Sequence, residues 1–141
     1  MLIGRDRADV AAFAMDVAHE PEWIGGVIEA TRLGEGPLGE GTRVARVAKF
    51  LGRRFEYVNE IIEYEEGVRL SMKSVAGPFP MDICYEFEDA EGGTLARIRV
   101  QGEASGFFRL ASPVLAPMVR RSVQRDLGTL KGLLERSAVR G

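Results

Sequence analysis

The sequence is poor in the residues that build disulfides and metal centres. Its 141 residues include a single cysteine, Cys84, and a single histidine, His19. A disulfide within the chain needs two cysteines, and a structural zinc site needs several Cys or His ligands, so we expect neither. We interpret Cys84 as an ordinary strand residue in a reducing compartment. His19 is either a loop residue or a general base in a pocket.

The sequence also lacks an excess of charge and a long apolar run. Nineteen Lys and Arg stand against 21 Asp and Glu, a net charge of −2, whereas electrostatic binding of nucleic acid needs a dense basic surface. No stretch approaches the roughly eighteen apolar residues of a membrane span, and the first residues lack the apolar core of a signal peptide. We therefore expect a cytoplasmic protein with no nucleic-acid partner and no membrane span.

What the chain does contain is enough apolar residues for a core: 45% are hydrophobic, which suits one domain over residues 1–141. An apolar stripe with helical spacing predicts a first helix capped by Asp6 and stopped by Pro21. Residues 22–24 are expected to add a short second helical turn before Gly25. The stripe consists of Val10, Phe13, Ala14 and Val17.

After Gly26 the hydrophobic period changes to two, and short turns rich in Gly and Pro separate the runs. Such short connections predict an antiparallel meander. The segment Gly34–Gly39 has the letters of a dinucleotide-binding loop, but a strand and not a helix follows it, so no nucleotide cofactor is expected. The six predicted strands are Val27–Leu33, Thr42–Phe50, Arg53–Tyr64, Arg69–Ser74, Met81–Glu88 and Thr94–Glu103.

The chain ends in a predicted amphipathic helix. Ser112 followed by Pro113 is a typical helix start, since Ser caps a free N–H and Pro fits the first helical position. The apolar stripe of this helix is expected to lie against the sheet in an α+β fold. Its members are Leu115, Val119, Val123, Leu127, Leu130 and Leu134.

Several segments carry a resemblance to a known family through their order and spacing. They are Asp9–Phe13, Pro21–Trp23, Gly36–Thr42, Tyr85–Phe87 with Gly93–Thr94, and Asp126–Glu135. Over essentially the whole chain they resemble the START-related SRPBCC superfamily, in particular its polyketide cyclase/dehydrase-like branch. The resemblance implies a helix-grip fold, in which a curved antiparallel sheet of seven strands wraps around a long C-terminal helix. Two short helices then close one end of a deep hydrophobic cavity.

One departure from the family concerns the first strand. Family members have a full strand before the first helix, whereas this chain offers only Met1 to about Arg5. Either a very short strand forms at the sheet edge through Leu2 and Ile3, or a partner chain pairs there in a homodimer, or the true start lies upstream.

The alternation of side chains along the strands predicts which residues line the cavity. Asn59 is the notable polar group, interpreted as bonded to a buried backbone group or a water, or as orienting a ligand. Trp23 is expected at the cavity mouth. The parity of Thr42–Phe50 is ambiguous, and Arg46 would anchor an acidic ligand if it pointed inward. The candidate ligand-binding residues are Trp23, Phe55, Tyr57, Asn59, Ile61, Leu70, Met72, Met81, Ile83, Tyr85, Phe87, Ile98, Val119 and Val123.

Fold alone does not decide function in such a superfamily. The first hypothesis is a binding protein for a small hydrophobic molecule, such as a lipid, an aromatic or a polyketide-like compound, held without a cofactor. The second is a cyclase or dehydratase acting in the same cavity, also without a metal or a nucleotide. A third is a dimerising adaptor with a filled interior. An acid/base group inside the cavity would favour an enzyme, and the predicted inward residues include no Asp, Glu or His.

Overall fold

The computed structural model describes the backbone of residues 1–50, 52–77, 81–102 and 107–140, and the side chains of these residues except 50, 101–102, 107–116, 118–119 and 137–140. The helices in these ranges are α1 (Arg7–Ala14), α2 (Glu20–Trp23) and α3 (Phe107–Arg140), with a 3-10 turn at Val17–His19. The strands are β1 (Leu2–Ile3), β2 (Val27–Leu33), β3 (Arg43–Phe50), β4 (Arg53–Glu65), β5 (Arg69–Ala76), β6 (Met81–Ala90) and β7 (Gly93–Gly102).

All strand pairs are antiparallel, and the strand order across the sheet is β1-β7-β6-β5-β4-β3-β2. Each strand from β2 to β7 therefore lies beside its neighbour in sequence, as the short turns predicted. The sheet is curved and does not close into a barrel. This architecture confirms the helix-grip fold.

The sheet has one buried face because apolar side chains alternate with polar ones. On β6, Tyr85 and Phe87 are buried whereas Glu88 is exposed. The long helix α3 packs on the same face, and its leucines join the core with side chains from β4, β5, β6 and β7. Among the described side chains of α3, the buried leucines are Leu127, Leu130 and Leu134.

The short first strand is present at the sheet edge. Leu2 and Ile3 pair with Leu95 and Thr94 of β7, and the Ile3 side chain is fully buried. The approach is so close that a Cβ atom on Gly93 would lie 2.0 Å from the carbonyl oxygen of Ile3. Glycine is therefore required there. The expectation of a short strand is confirmed, and pairing with a partner chain at this edge stays a prediction.

The first helix is shorter than the sequence pattern predicted. It ends at Ala14, because Asp16 adopts an extended conformation and its carboxylate accepts the N–H of Ala18. This contact starts the 3-10 turn that contains Val17. Pro21 thus does not stop α1; it lies in the first turn of α2, where its missing N–H costs no helical hydrogen bond.

The last helix begins earlier than predicted. It starts at Phe107, so Ser112 and Pro113 lie within it. Proline has the φ angle of a helix and removes only one N–H donor, so a helix can pass through it at a cost. No helix in the described ranges combines the length and the apolarity that a membrane crossing requires.

Candidate functional site

A pocket of about 100 Å³ lies between the sheet and α3, next to α2. Half of the side chains around it are apolar and the others carry charges or polar ring groups. The apolar residues are Ile24, Val27, Ile83, Ile98, Val100 and Val123. The polar and aromatic residues are Glu20, Trp23, Arg46, Tyr57, Tyr85 and Asp126.

A buried ion pair forms one wall of this pocket. The guanidinium of Arg46 donates from Nε to Oε1 of Glu20 at 2.7 Å and from Nη2 to Oε2 at 3.1 Å. The two side chains are 3% and 5% exposed. Nη2 also lies 3.4 Å from the sulfur of Met72, and the guanidinium carbon is 5.9 Å from the centre of the Tyr57 ring. Arg46 thus joins β3 to the start of α2.

The inward direction of Arg46 resolves the parity of β3, since Val44, Arg46 and Ala48 are all buried. Burial by itself lowers the pKa of Arg46, but the charge and hydrogen bonds of Glu20 outweigh it and raise the pKa above its ordinary value. The guanidinium therefore stays charged. Because its acidic partner belongs to the protein itself, the structure argues against the expected role of Arg46 as an anchor for an acidic ligand.

Three aromatic side chains surround the ion pair. Trp23 is 1% exposed and meets Tyr85 edge to face, with ring centres 5.9 Å apart. Burial raises the pKa of Tyr85, and the charge of Glu20 raises it further. Burial also raises the pKa of Tyr57. Both phenols therefore keep their protons at neutral pH and can donate hydrogen bonds.

Asp126 brings a second carboxylate to the pocket from α3. Its Oδ1 accepts the N–H of Gly25 at 3.1 Å, which ties α3 to the turn after α2. Burial raises the pKa of Asp126 although this hydrogen bond acts against the shift. The prediction that no Asp or Glu faces the interior is therefore wrong, because Glu20 and Asp126 both line the pocket. Both come from helices, whose predicted contributions to the cavity were Trp23, Val119 and Val123 only.

The structure brings together some of the sequence-predicted site residues and separates others. Phe55 and Met81 are partly buried outside the pocket lining, and the side chain of Val119 lies outside the described residues. Six predicted residues line the pocket: Trp23, Tyr57, Ile83, Tyr85, Ile98 and Val123. Five others are buried without lining it: Asn59, Ile61, Leu70, Met72 and Phe87.

Sequence reasoning missed the residues that α2 contributes together with Trp23. Glu20 precedes Trp23 by three residues, so the two share one face of a helical turn. The three-residue spacing of Glu20 and Trp23 could have indicated that Glu20 lies beside the pocket. That inference requires the second helix to begin before Pro21, as it does in the structure. No comparable signal marked Asp126, because its neighbour Gly25 is distant in sequence.

Asn59 occupies an unusual position in the core. It is fully buried on β4, and its amide nitrogen and amide oxygen have no hydrogen-bond partner in the described part of the chain. It faces Val44 of β3 and Ser74 of β5 in the sheet register. The described residues supply no backbone partner for this amide, and a water or a ligand as its partner stays a prediction.

His19 lies outside the pocket. Its ring stacks on Phe13 with centres 4.1 Å apart, and its nitrogens face Asp16 and Glu22. The structure thus favours the loop interpretation over a general base in the pocket. Within the described part of the chain, no three His, Cys, Asp or Glu side chains gather as a metal site requires.

A larger groove of about 850 Å³ runs between α1, β2 and the turn after β4. Its floor is rich in alanine, and its acidic groups, Asp16 and Glu66, are exposed. Charges in contact with water contribute little net binding energy. The smaller interior pocket is therefore the better candidate, because the ion pair of Glu20 and Arg46 and the rings of Trp23 and Tyr85 are buried there.

Comparison with known proteins agrees with this geometry. The sequence profile of the family described as "Polyketide cyclase / dehydrase and lipid transport" matches residues 2–135. Among the curated proteins, none matches the chain.

Several solved structures share the fold at low sequence identity. The protein TTHA0849 from Thermus thermophilus has a TM-score of 0.82 at 18% identity, over 97% of this chain and 94% of that one. The Zhui aromatase/cyclase from Streptomyces sp. R1128 has a TM-score of 0.78 at 14% identity, over 98% and 92%. A START superfamily protein from Mycobacterium smegmatis has a TM-score of 0.74 at 10% identity, over 96% and 94%.

Proposed function

Since the chain belongs to the polyketide cyclase/dehydrase and lipid transport family, we propose that it binds a small hydrophobic molecule between the sheet and α3. The observation that carries this proposal is the pocket itself, where six apolar side chains meet a few buried polar groups. Such a combination is typical of ligand sites, because apolar contact supplies affinity and sparse polar groups fix orientation.

The size of the pocket limits what enters it. A volume of about 100 Å³ corresponds to roughly three water molecules, so the pocket holds the compact end of a lipid, aromatic or polyketide-like ligand. Burying the apolar atoms of that end contributes about 25 cal/mol for each Å² removed from water. Tyr57 and Tyr85 are the groups placed to orient it.

The test uses 2-butanone as a small apolar probe and amide chemical shifts of the ¹⁵N-labelled protein as the signal. Val123→Phe enlarges a side chain of the pocket wall and should abolish the shifts around Tyr85. Val75→Phe is the matched control, since Val75 is exposed on β5. Binding that survives Val123→Phe, or shifts that cluster around the groove beside α1, would contradict the proposed site.

An enzymatic role is a second candidate because of one specific observation. Asp126 lines the pocket, and burial raises the pKa of its carboxyl group. A carboxyl group tuned toward neutral pH suits general acid/base catalysis, and a protonated Tyr85 can polarise a carbonyl. The proposed reaction is a cyclisation or dehydration of a poly-β-ketone, the chemistry that the family description includes.

One experiment on the wild-type protein and one variant distinguishes the binding role from the enzymatic role. If the protein is an enzyme, Asp126→Asn should remove turnover of a β-diketone-containing substrate analogue while leaving 2-butanone binding intact. Product formation is followed by mass spectrometry. If the wild-type protein binds the analogue and returns it unchanged, the binding role stands and the enzymatic one fails.

A further inference from the structure

The charges around the pocket do not balance. Two carboxylates, Glu20 and Asp126, face one guanidinium, that of Arg46. Glu20 engages Arg46 through two hydrogen bonds, so the positive charge is already compensated inside the protein. Among the described residues, the carboxylate of Asp126 accepts the backbone N–H of Gly25, and the charge of Arg125 outside the pocket also acts on it. Among the residues that line the pocket, negative charges still outnumber the positive one, so an anion entering it would be repelled.

Two residues that line the pocket nevertheless carry hydrogen-bond donors without an acceptor among the described residues. These donors are Nη1 of Arg46 and Nε1 of Trp23, and both atoms are buried. Both residues line the pocket, and both are more than nine-tenths buried. A buried N–H without a partner is unfavourable, so a ligand whose acceptor oxygen reaches one of these groups recovers part of that cost.

These two observations point to the same ligand chemistry. We propose that Glu20 determines ligand specificity: by compensating the charge of Arg46, it makes the pocket accept the neutral oxygen acceptor of an apolar ligand, such as a ketone carbonyl, and reject carboxylates. This inference rests on the proposed binding function and names the class of ligand that the same site takes. An ammonium ion could pair with Asp126 but supplies no acceptor to the two N–H groups, so it would recover none of their cost.

The role of Glu20 leads to an inverted selectivity when its charge is removed. In Glu20→Gln the guanidinium of Arg46 keeps its charge but loses its counter-charge. A carboxylate ligand then takes the place of the missing carboxylate and pairs with Arg46. If Glu20 had a purely structural role, replacing it would weaken the binding of neutral and anionic ligands alike. The ratio of the two affinities is therefore the informative quantity.

The experiment compares 2-butanone with propionate, which have nearly the same shape and differ in charge. Dissociation constants are measured at pH 7 from amide chemical shifts of the full chain. The wild-type protein should bind 2-butanone at least about tenfold more tightly than propionate, a difference of roughly 1.4 kcal/mol. Glu20→Gln should reduce that ratio by at least about tenfold. Glu22→Gln is the matched control: it removes the same charge from the same helix, but Glu22 is exposed and outside the pocket.

The outcomes distinguish this inference from the proposed function. Equal or tighter binding of propionate by the wild-type protein overturns the specificity role of Glu20 and leaves the binding function in place. If neither compound binds, both proposals fall. Should Glu20→Gln not fold, the double variant Glu20→Leu/Arg46→Met replaces it. It should bind 2-butanone more weakly than the wild-type protein does, because a donor is gone, and unchanged binding would contradict the inference.

Discussion

Neutralising Glu20 tests how the buried ion pair contributes to stability. Glu20→Gln preserves the shape of the side chain but leaves the charge of Arg46 without compensation in a site where the guanidinium side chain is 3% exposed. Removing one member of a buried pair typically costs about 3–5 kcal/mol. At roughly 3 °C per kcal/mol for a domain of this size, the melting temperature should fall by about 10 °C or more.

The matched control is an ion pair of similar length on the surface. Arg97 and Glu88 lie 3.1 Å apart, but their side chains are 46% and 62% exposed. Exposed pairs contribute about 0–1 kcal/mol, so Glu88→Gln should change the free energy of unfolding by less than about 1 kcal/mol. The comparison isolates burial, because the chemical change is the same in both variants.

The assay is urea unfolding followed by circular dichroism, completed as a cycle with the double variant Glu20→Leu/Arg46→Met. Replacing a whole buried ion pair with apolar residues is often neutral or stabilising, so the double variant should unfold within about 2 kcal/mol of the wild type. A loss below about 1 kcal/mol in Glu20→Gln would refute the reasoning. So would a double variant that is less stable than the single one.

Three further predictions concern other parts of the molecule. Gly93→Ala should lower the free energy of unfolding by about 2–3 kcal/mol and expose the amides of β1 to hydrogen exchange. Gly92→Ala should lower it by only about 1 kcal/mol, for its positive φ, because a Cβ there meets nothing within 4 Å. Equal effects of the two substitutions would argue against the close contact with β1. Asn59→Leu should raise the free energy of unfolding by about 1–2 kcal/mol, since it removes an unpaired buried amide, and a loss of stability would mean that this amide finds a partner in solution. The pKa of Asp126 is raised in the folded state. The protonated carboxyl group therefore stabilises the fold below the unfolded-state pKa, and this contribution is lost as the pH rises through the folded-state pKa. Stability measured across this acidic range should depend less on pH in Asp126→Asn, and an unchanged pH profile would contradict the shift.

The strands and their order could be predicted from the sequence because each depends on local chemistry. Turn residues mark where β2 to β7 begin and end, and side-chain alternation assigns residues such as Tyr85 and Phe87 to the buried face. Short turns then leave the antiparallel meander as the natural topology. The leucine stripe of α3, including Leu127 and Leu130, likewise identified the face that covers the sheet.

Helix ends were harder to predict because they depend on competition between neighbours. The carboxylate of Asp16 accepts the N–H of Ala18 in the turn that follows α1, and this contact competes with continuation of the helix. Apolar periodicity carries no signal for such a contact. In α3, Pro113 is a strong local signal for a helix start, but the flanking residues are helical on both sides of it. Local propensity yields in such cases to the packing of the whole element.

The sequence by itself determined the antiparallel meander followed by a helix and the apolar character of the interior, since both follow from periodicity and turn chemistry along the chain. The fold family followed from the resemblance of its segments to a known superfamily. Only the tertiary structure decided the chemistry of the pocket. Glu20 meets Arg46 across 26 residues, and Asp126 meets Gly25 across 101. Neither partner carries a local sign of the other, because an ion pair between distant segments exists only once the sheet and helices have brought them together. Burial then raises the pKa of Asp126, and the charge of Glu20 keeps Arg46 protonated; both effects exist only in the folded chain.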